Sequence, residues 1–547
     1  MPKPLDPTFY YLDNFHQVLS CIAERYADLL NDEEREFFDG FPLLPLASQA
    51  LLVRMLMRKG ELFRASKLQY AEIGDPQLAA APLLALNWLD DRPLLSLEQL
   101  FGLLRKRELD TLLQPLGRAL GKAQSLATLL PDYPVPLPLS DWPVVIEDRV
   151  YHLRLRGLEE RLRLMFFGNL QQDWSEFVLA ELGIFQYERV ECPPSSRAFR
   201  TRQDLDLYLH LNQCREALRA GACADTLLPQ LAGCVSENAW LEQRRAKLLF
   251  RIAQSEEKAA RLSSALRGYA ACAYPGSRWR ALRILERLEL NEAASHWAEA
   301  ALGAPENEAE EQLLLRLLPR LQRKLGRRPP ARRTGVTVAS QLQLCLPKPP
   351  DGVYVEHLVR DHLTRPDAPV HYVENALLNS LFGLWCWQVL FSPLPGAFFH
   401  PFQRAPADLL SPDFQQRRAE AFNACFEQLD TDAYRQTIRQ NYRDKFGLQS
   451  AFVAWGLLDE ALLERALACI PAPHLKRCFA RILLNIGNNR SGLPDLIQFW
   501  PELGQYRMIE VKGPGDRLQD NQRRWLDYCA AHGLPVTVCH VRWQADA

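Results

Sequence analysis

Apolar residues recur at helical spacing over most of the chain, and the period shortens to two only near the C-terminal end. Residues 1–75 read as helical, with basic positions Arg54, Arg58, Lys59, Arg64 and Lys67 between the apolar ones. In "LLSLEQLFGLLRKRELDTLLQPLGRALGKAQSLATLL", Ser96 is placed to cap an amphipathic helix, and "GKAQSLATLL" predicts another. The proline-rich "PDYPVPLPLSDWPVV", 131–145, marks a boundary. From 146 to about 325 the pattern is nearly all helical. There "RRAKLLF" (244–250) recurs as "WRALRIL" (279–285), an offset of 35 residues. "ALLNSLFGLWCWQVLF" predicts a buried helix, since it is too short for a membrane span and carries Asn379 and Gln388. Over 495–541 the pattern changes to strand, strand, helix, strand, the only clear sheet-forming region.

A length of 547 residues suggests three or four domains. Hydrophobic residues make up 48% and charged residues 24%, ordinary for a globular protein with a large core. The net charge of -1 does not exclude a DNA binder, which needs a basic face rather than a basic total. The 13 cysteines form no CxxC pair, so they read as reduced thiols of a cytoplasmic protein. "MPKPLDPTFYYLDNF" is not a signal peptide, and secretion is not expected. "RKLGRRPPARRTG", with Arg323, Lys324, Arg327, Arg328, Arg332 and Arg333, is a basic linker able to follow a phosphate backbone. A solvated linker fits it equally well.

The candidate chemistry lies in "SGLPDLIQFWPELGQYRMIEVKGPGDR", 491–517. Asp495 opens one strand, and Glu510 and Lys512 are two apart on the next, so they leave it on one side. Two carboxylates brought together across a hairpin repel each other unless a cation stands between them. Hard oxygen donors favour Mg²⁺ or Mn²⁺, and the Val511 carbonyl can complete the shell. This is the PD-(D/E)xK layout. The bland alternative is a Glu510–Lys512 salt bridge with Asp495 capping a turn.

Around that motif, "GNNRSGLPDLIQFW" and "EVKGPGDRLQDNQRRWL" resemble a VRR-NUC nuclease domain. Residues 76–145, with Arg105, Lys106 and Arg107, resemble a SAP module, a small helix–loop–helix DNA binder. The helical pairs of 146–335 are similar to tetratricopeptide repeats. With "YVENALLNSLFGLWCWQVLF" and "FFHPFQRAPADLLSPDFQQRRAEAF", the order of these pieces resembles the Fanconi-associated nuclease family, in its bacterial form. The resemblance implies a multidomain, mainly α-helical protein ending in an α/β restriction-endonuclease-like domain. The expected division is an N-terminal helical region 1–75, the SAP-like region 76–145, repeats and linker 146–335, and a nuclease unit 336–547 with its core at about 430–545.

The same resemblance implies a structure-specific DNA nuclease that cuts near 5′ flap junctions, degrades from 5′ ends and acts in interstrand crosslink repair. Asp495, Glu510 and Lys512 take the catalytic roles. Glu374, on a helix upstream, joins Asp495, Glu510 and Val511 around the metal. Arg490 and Gln522 contact phosphate. Where some members carry basic residues for a terminal 5′ phosphate, this chain has Gly487 and Asn521, so strict reading of that phosphate is not implied. The expected partner is branched or flap DNA, with no membrane and with a protein partner possible on the repeats. Two other functions fit the residues: a four-way-junction resolvase, and a helical scaffold with a secondary nuclease.

Overall fold

The structure, a computed structural model, describes residues 8–114, 120–328, 339–350 and 352–544. Arg332 and Arg333 of the basic linker lie outside them. The chain divides into two compact units.

The first unit holds residues up to 186, with 191–205 and 399–402. Its helix Asp32–Gly40 starts at Asn31, whose side chain accepts from Glu34 N while Glu34 answers with a bond from Asn31 N. Phe15, Phe37 and Phe41 pack edge-on and stacked at its core. The purely helical expectation fails here. Leu62–Arg64, Val150–Leu153 and Leu89–Asp90 form a three-stranded antiparallel sheet centred on the middle segment. These strands are too short for a two-residue period to show in sequence.

Ser96 does cap Leu97–Leu103, in a reciprocal pair with Gln99. Leu97, Leu100, Phe101, Leu112 and Leu129 gather behind it into one small core. Arg105, Lys106 and Arg107 are exposed, and Lys106 Nζ donates to Leu120 O at 2.9 Å. Two basic residues of the first helical stretch have carboxylate partners. Arg54 pairs with Glu72 at 2.7 Å over the Tyr11 ring, and Arg64 bridges Glu108 and Asp148.

The second unit contains the repeats and the nuclease region. Helices α1 (Ala239–Lys258), α2 (Leu262–Ala270), α3 (Ser277–Arg287), α4 (Asn291–Gly303) and α5 (Glu308–Lys324) stack in sequence. Ala246, Leu282 and Leu318 are each buried within their helices. Ala246 and Ala281, aligned by the 35-residue sequence offset, are both buried. Gly268 lets α2 press on α1: a Cβ there would stand 3.0 Å from Ala253 Cβ. Lys324 and Arg327 of the basic linker pair with Glu286 and Glu292.

The nuclease region is built on a five-stranded mixed sheet. Its strands are β1 (Ser340–Leu346), β2 (Val370–Tyr372), β3 (Leu496–Trp500), β4 (Gln505–Lys512) and β5 (Val536–Trp543), in the order β1-β5-β4-β3-β2. β5 runs parallel to β1 and β4, while β3 is antiparallel to β4 and β2. The last three strands are those the sequence predicts, and β1 and β2 are additional. "SQLQLCL" alternates with glutamine outward on an edge strand, and β2 has only three residues. Helix α6 (Val355–Leu363) packs Val359 against Leu496, Ile509 and Val511. Helix α7 (Leu377–Trp385) is buried on all sides, as its high overall hydrophobicity predicts. Helix α8 (Ala472–Leu484) precedes the motif, and α9 (Asp520–Ala531) follows it.

Candidate active site

The antiparallel register that pairs Leu496 with Ile509 sets Asp495 beside Glu510. Asp495 is the residue just before β3 rather than its first member. The Val511 N–H donates to Asp495 Oδ2 at 2.8 Å, which fixes that carboxylate against β4. Lys512 Nζ lies 2.7 Å from Glu510 Oε1 in an ionic contact. The other oxygen, Oε2, has no hydrogen-bond donor, although the side chain is fully buried. A carboxylate stripped of water with one oxygen left unpartnered is costly unless something else binds it.

The electrostatics point the same way. Burial is the main cause that pushes Glu510 above the ordinary carboxylate range. Asp495 adds to the shift and Lys512 opposes it. Burial also raises Asp495, against the Val511 N–H and Lys512, and the charges of Glu356 and Glu374 raise it further. Four acidic side chains therefore act on one spot that has a single lysine. Such a donor set fits a hard divalent cation.

The surrounding loops are tied down locally. Glu374 stands exposed in the turn before α7, not on the helix itself. Tyr372 at the end of β2 donates its hydroxyl to Glu374 Oε2 at 2.6 Å. Asn375, at φ 50, accepts from Leu493 N at 3.1 Å and reaches Glu374 Oε1 with its amide at 3.3 Å. Asn379 donates to the carbonyls of Asn375 and Arg490. Among the described residues, no three acidic, histidine or cysteine side chains form a finished metal shell. The two carboxylates at β3 and β4 are preset, and Glu374 is held by Tyr372.

Gly492, at φ +85, lets the loop cross the start of α9. A Cβ there would stand 2.7 Å from the Asn521 carbonyl carbon. Gln522 closes the first turn of α9, its Oε1 accepting from Gln519 N at 2.8 Å. Its amide oxygen is thus engaged within the helix start. Arg490 is half-buried in the loop before Asp495. The structure therefore brings Asp495, Glu510 and Lys512 together and puts Glu374 within electrostatic reach. Sequence reasoning missed Glu356, Tyr372 and Asn375. Only the acidic first turn of α6 carried a local signal: Asn375 acts on Leu493, far along the chain, and a tyrosine two residues before a turn carboxylate has no signature of its own.

Comparison with known proteins covers the whole length. The family model for "FAN1, HTH domain" matches residues 9–90, the "Fanconi anemia-associated nuclease SAP domain" matches 94–142, and the "VRR-NUC domain" matches 429–543. A Fanconi-associated nuclease 1 homolog of Pseudomonas aeruginosa is 56% identical over 548 residues, covering 100% of this chain and 97% of that one. The Arabidopsis thaliana homolog is 24% identical, covering 99% of this chain and 68% of its own. A crystal structure of paFAN1 bound to 2nt 5′ flap DNA with gap superposes with a TM-score of 0.97 at 55% identity, covering 100% of both chains. A second, bound to 1nt 5′ flap DNA with gap, gives 0.94 at 56% identity, covering 99% of this chain and 100% of that one.

Proposed function

The chain belongs to the Fanconi-associated nuclease family of structure-specific DNA nucleases, and on that premise we propose that Asp495, Glu510 and Lys512 cut the phosphodiester backbone near 5′ flap junctions. The fully buried Glu510 carboxylate, facing Asp495 and balanced only by Lys512 on one of its oxygens, carries this reading. The likeness to a protein solved on 5′ flap DNA supports the substrate, and nothing in the relatives supports the four-way-junction or scaffold readings. Degradation from 5′ ends and crosslink repair are proposed from the family, and a cytoplasmic place, at the nucleoid in a bacterium, from the dispersed free cysteines. Among the described residues no helix is long and apolar enough to cross a membrane.

A nuclease domain of this family requires a divalent ion. Mg²⁺ or Mn²⁺ suits oxygen donors best. Asp495, Glu510 and the Val511 carbonyl would hold it, with Glu374 joining from its turn. Bound there, it would polarise the phosphate and lower the pKa of a water. Val511 N–H keeps Asp495 turned to the site. The Lys512 ammonium, anchored on Glu510, is set to orient the attacking water and to neutralise charge growing on phosphorus. Arg490 and Gln522 are proposed phosphate contacts, the latter through its amide nitrogen. Arg105, Lys106 and Arg107 would grip a duplex arm.

The test is cleavage of a panel of labelled flaps, nicks and four-way junctions with Mn²⁺ or Mg²⁺. Asp495→Ala should abolish cutting, and Lys512→Ala should slow it by about 10²–10³-fold. Flap cleavage undiminished in both variants would place the active site elsewhere.

A further inference from the structure

Helix α1 presents a long cationic strip that no carboxylate interrupts. Trp240, Arg244, Lys247, Arg251, Gln254 and Lys258 follow one another at helical spacing, opposite the buried face of Leu241, Leu248 and Ile252. Lys247, Arg251 and Lys258 are exposed. At 1.5 Å per residue the strip runs for about 27 Å, or about eight base-pair steps of a DNA duplex.

Its head is built rather than incidental. The Arg244 guanidinium lies 4.2 Å from the centre of the Trp240 ring and 4.7 Å from that of Tyr208, and the two rings stack at 19°. Arg244 donates to the Tyr208 hydroxyl at 3.3 Å, but its buried Nε has no hydrogen-bond partner. No ion pair reaches Arg244, Lys247 or Arg251 among the described residues. Burial and the neighbouring charges of Arg251 and Arg244 make Lys247 easier to deprotonate. Burial does the same to Arg244, with Arg215 adding to it. The strip thus repels itself, and a line of anions would relieve it. On α3, the positions 36 residues on from Lys247 and Arg251 are also basic, Arg283 and Arg287. Arg287, however, pairs with Glu257 of α1 at 3.6 Å, so the unpaired run of cations belongs to α1.

We propose that this strip of α1 is a phosphate track for one duplex arm of the DNA substrate. The proposal deepens the flap-nuclease reading and rests on it. The spacing of the cations along a straight helix suits a rigid polyanion with regular charges. An acidic peptide is the competing occupant.

The test is equilibrium binding of the full chain to fluorescent 5′ flap DNA by anisotropy, in EDTA so that nothing is cut, over a potassium chloride series and with long and short duplex arms. The variants are Lys247→Glu/Arg251→Glu, both exposed, and Arg244→Gln, with melting curves to verify folding. For long-armed DNA the double variant should bind several-fold more weakly. Its slope of log affinity against log salt should be shallower by about 0.9 for each phosphate that the protein no longer neutralises. Binding to DNA with that arm cut short should be insensitive. Unchanged affinity and slope at every arm length would overturn the proposal. So would loss of binding to a fluorescent polyglutamate with DNA binding intact. Because no metal or cutting enters, the outcome is separate from that of the Asp495→Ala assay.

Discussion

At the scale of single residues, Glu510 shows how a side chain can oppose the fold that holds it. Its raised affinity for protons means that the folded chain binds more protons than the unfolded one above the ordinary carboxylate range, about pH 4. Stability from this group is therefore complete at low pH and is lost as pH rises through the raised value. Glu510→Gln should melt higher than the parent in metal-free buffer near pH 8, with the gap closing towards pH 5, while cleavage is lost. A calorimetric series against pH measures this, and an equal gap at all pH values would contradict it. Gly492 tests the loop. Alanine there must take a left-handed backbone and meet Asn521, so Gly492→Ala should cost about 1–3 kcal/mol in denaturant unfolding.

At the scale of elements, Arg481 of α8 ties three helices together. It pairs with Glu308 at the start of α5, donates to Arg524 O on α9, and lies over the Trp525 and Tyr528 rings. Glu308 is partly exposed, so removing the arginine does not strand a fully buried charge. Arg481→Met should therefore destabilise by about 1–3 kcal/mol rather than more, read from the urea midpoint.

The elements also differ in how plainly the sequence announces them. β3, β4, α9 and β5 were legible because short runs rich in apolar residues, such as Leu496, Ile497 and Phe499 or Met508, Ile509 and Val511, are bounded by polar turns. The edge strands were not, since β1 carries solvent-facing glutamines and β2 is three residues long. In the site, Asp495, Glu510 and Lys512 could be read from spacing alone. Glu374 needed the family resemblance, because a turn carboxylate held by a tyrosine has no local signature. Asn375 was invisible for a related reason: its role rests on a bond to Leu493, far along the chain.

At the scale of the molecule, charge and cooperativity matter most. A chain with a net charge of -1 reaches a polyanion through local basic faces, so its DNA affinity should fall steeply with salt. The chain divides into two compact units, and Asp495 and Glu510 both lie in the second. Unfolding is then not a single two-state event. Scanning calorimetry should show more than one transition. Mn²⁺ should raise only the transition of the unit that binds it, since a ligand stabilises the part it binds. A uniform shift of the whole profile would count against that division.

The order of strands in the nuclease sheet sets a schedule for biosynthesis. β5 wedges between β1 and β4, yet it leaves the ribosome after both of them. Until residues 536–543 emerge, the strand bearing Glu510 has one flank unzipped and β1 has no neighbour in the sheet. The growing polypeptide is thus unarmed during translation, and a message cut short within the last strand would yield a blade that never sets.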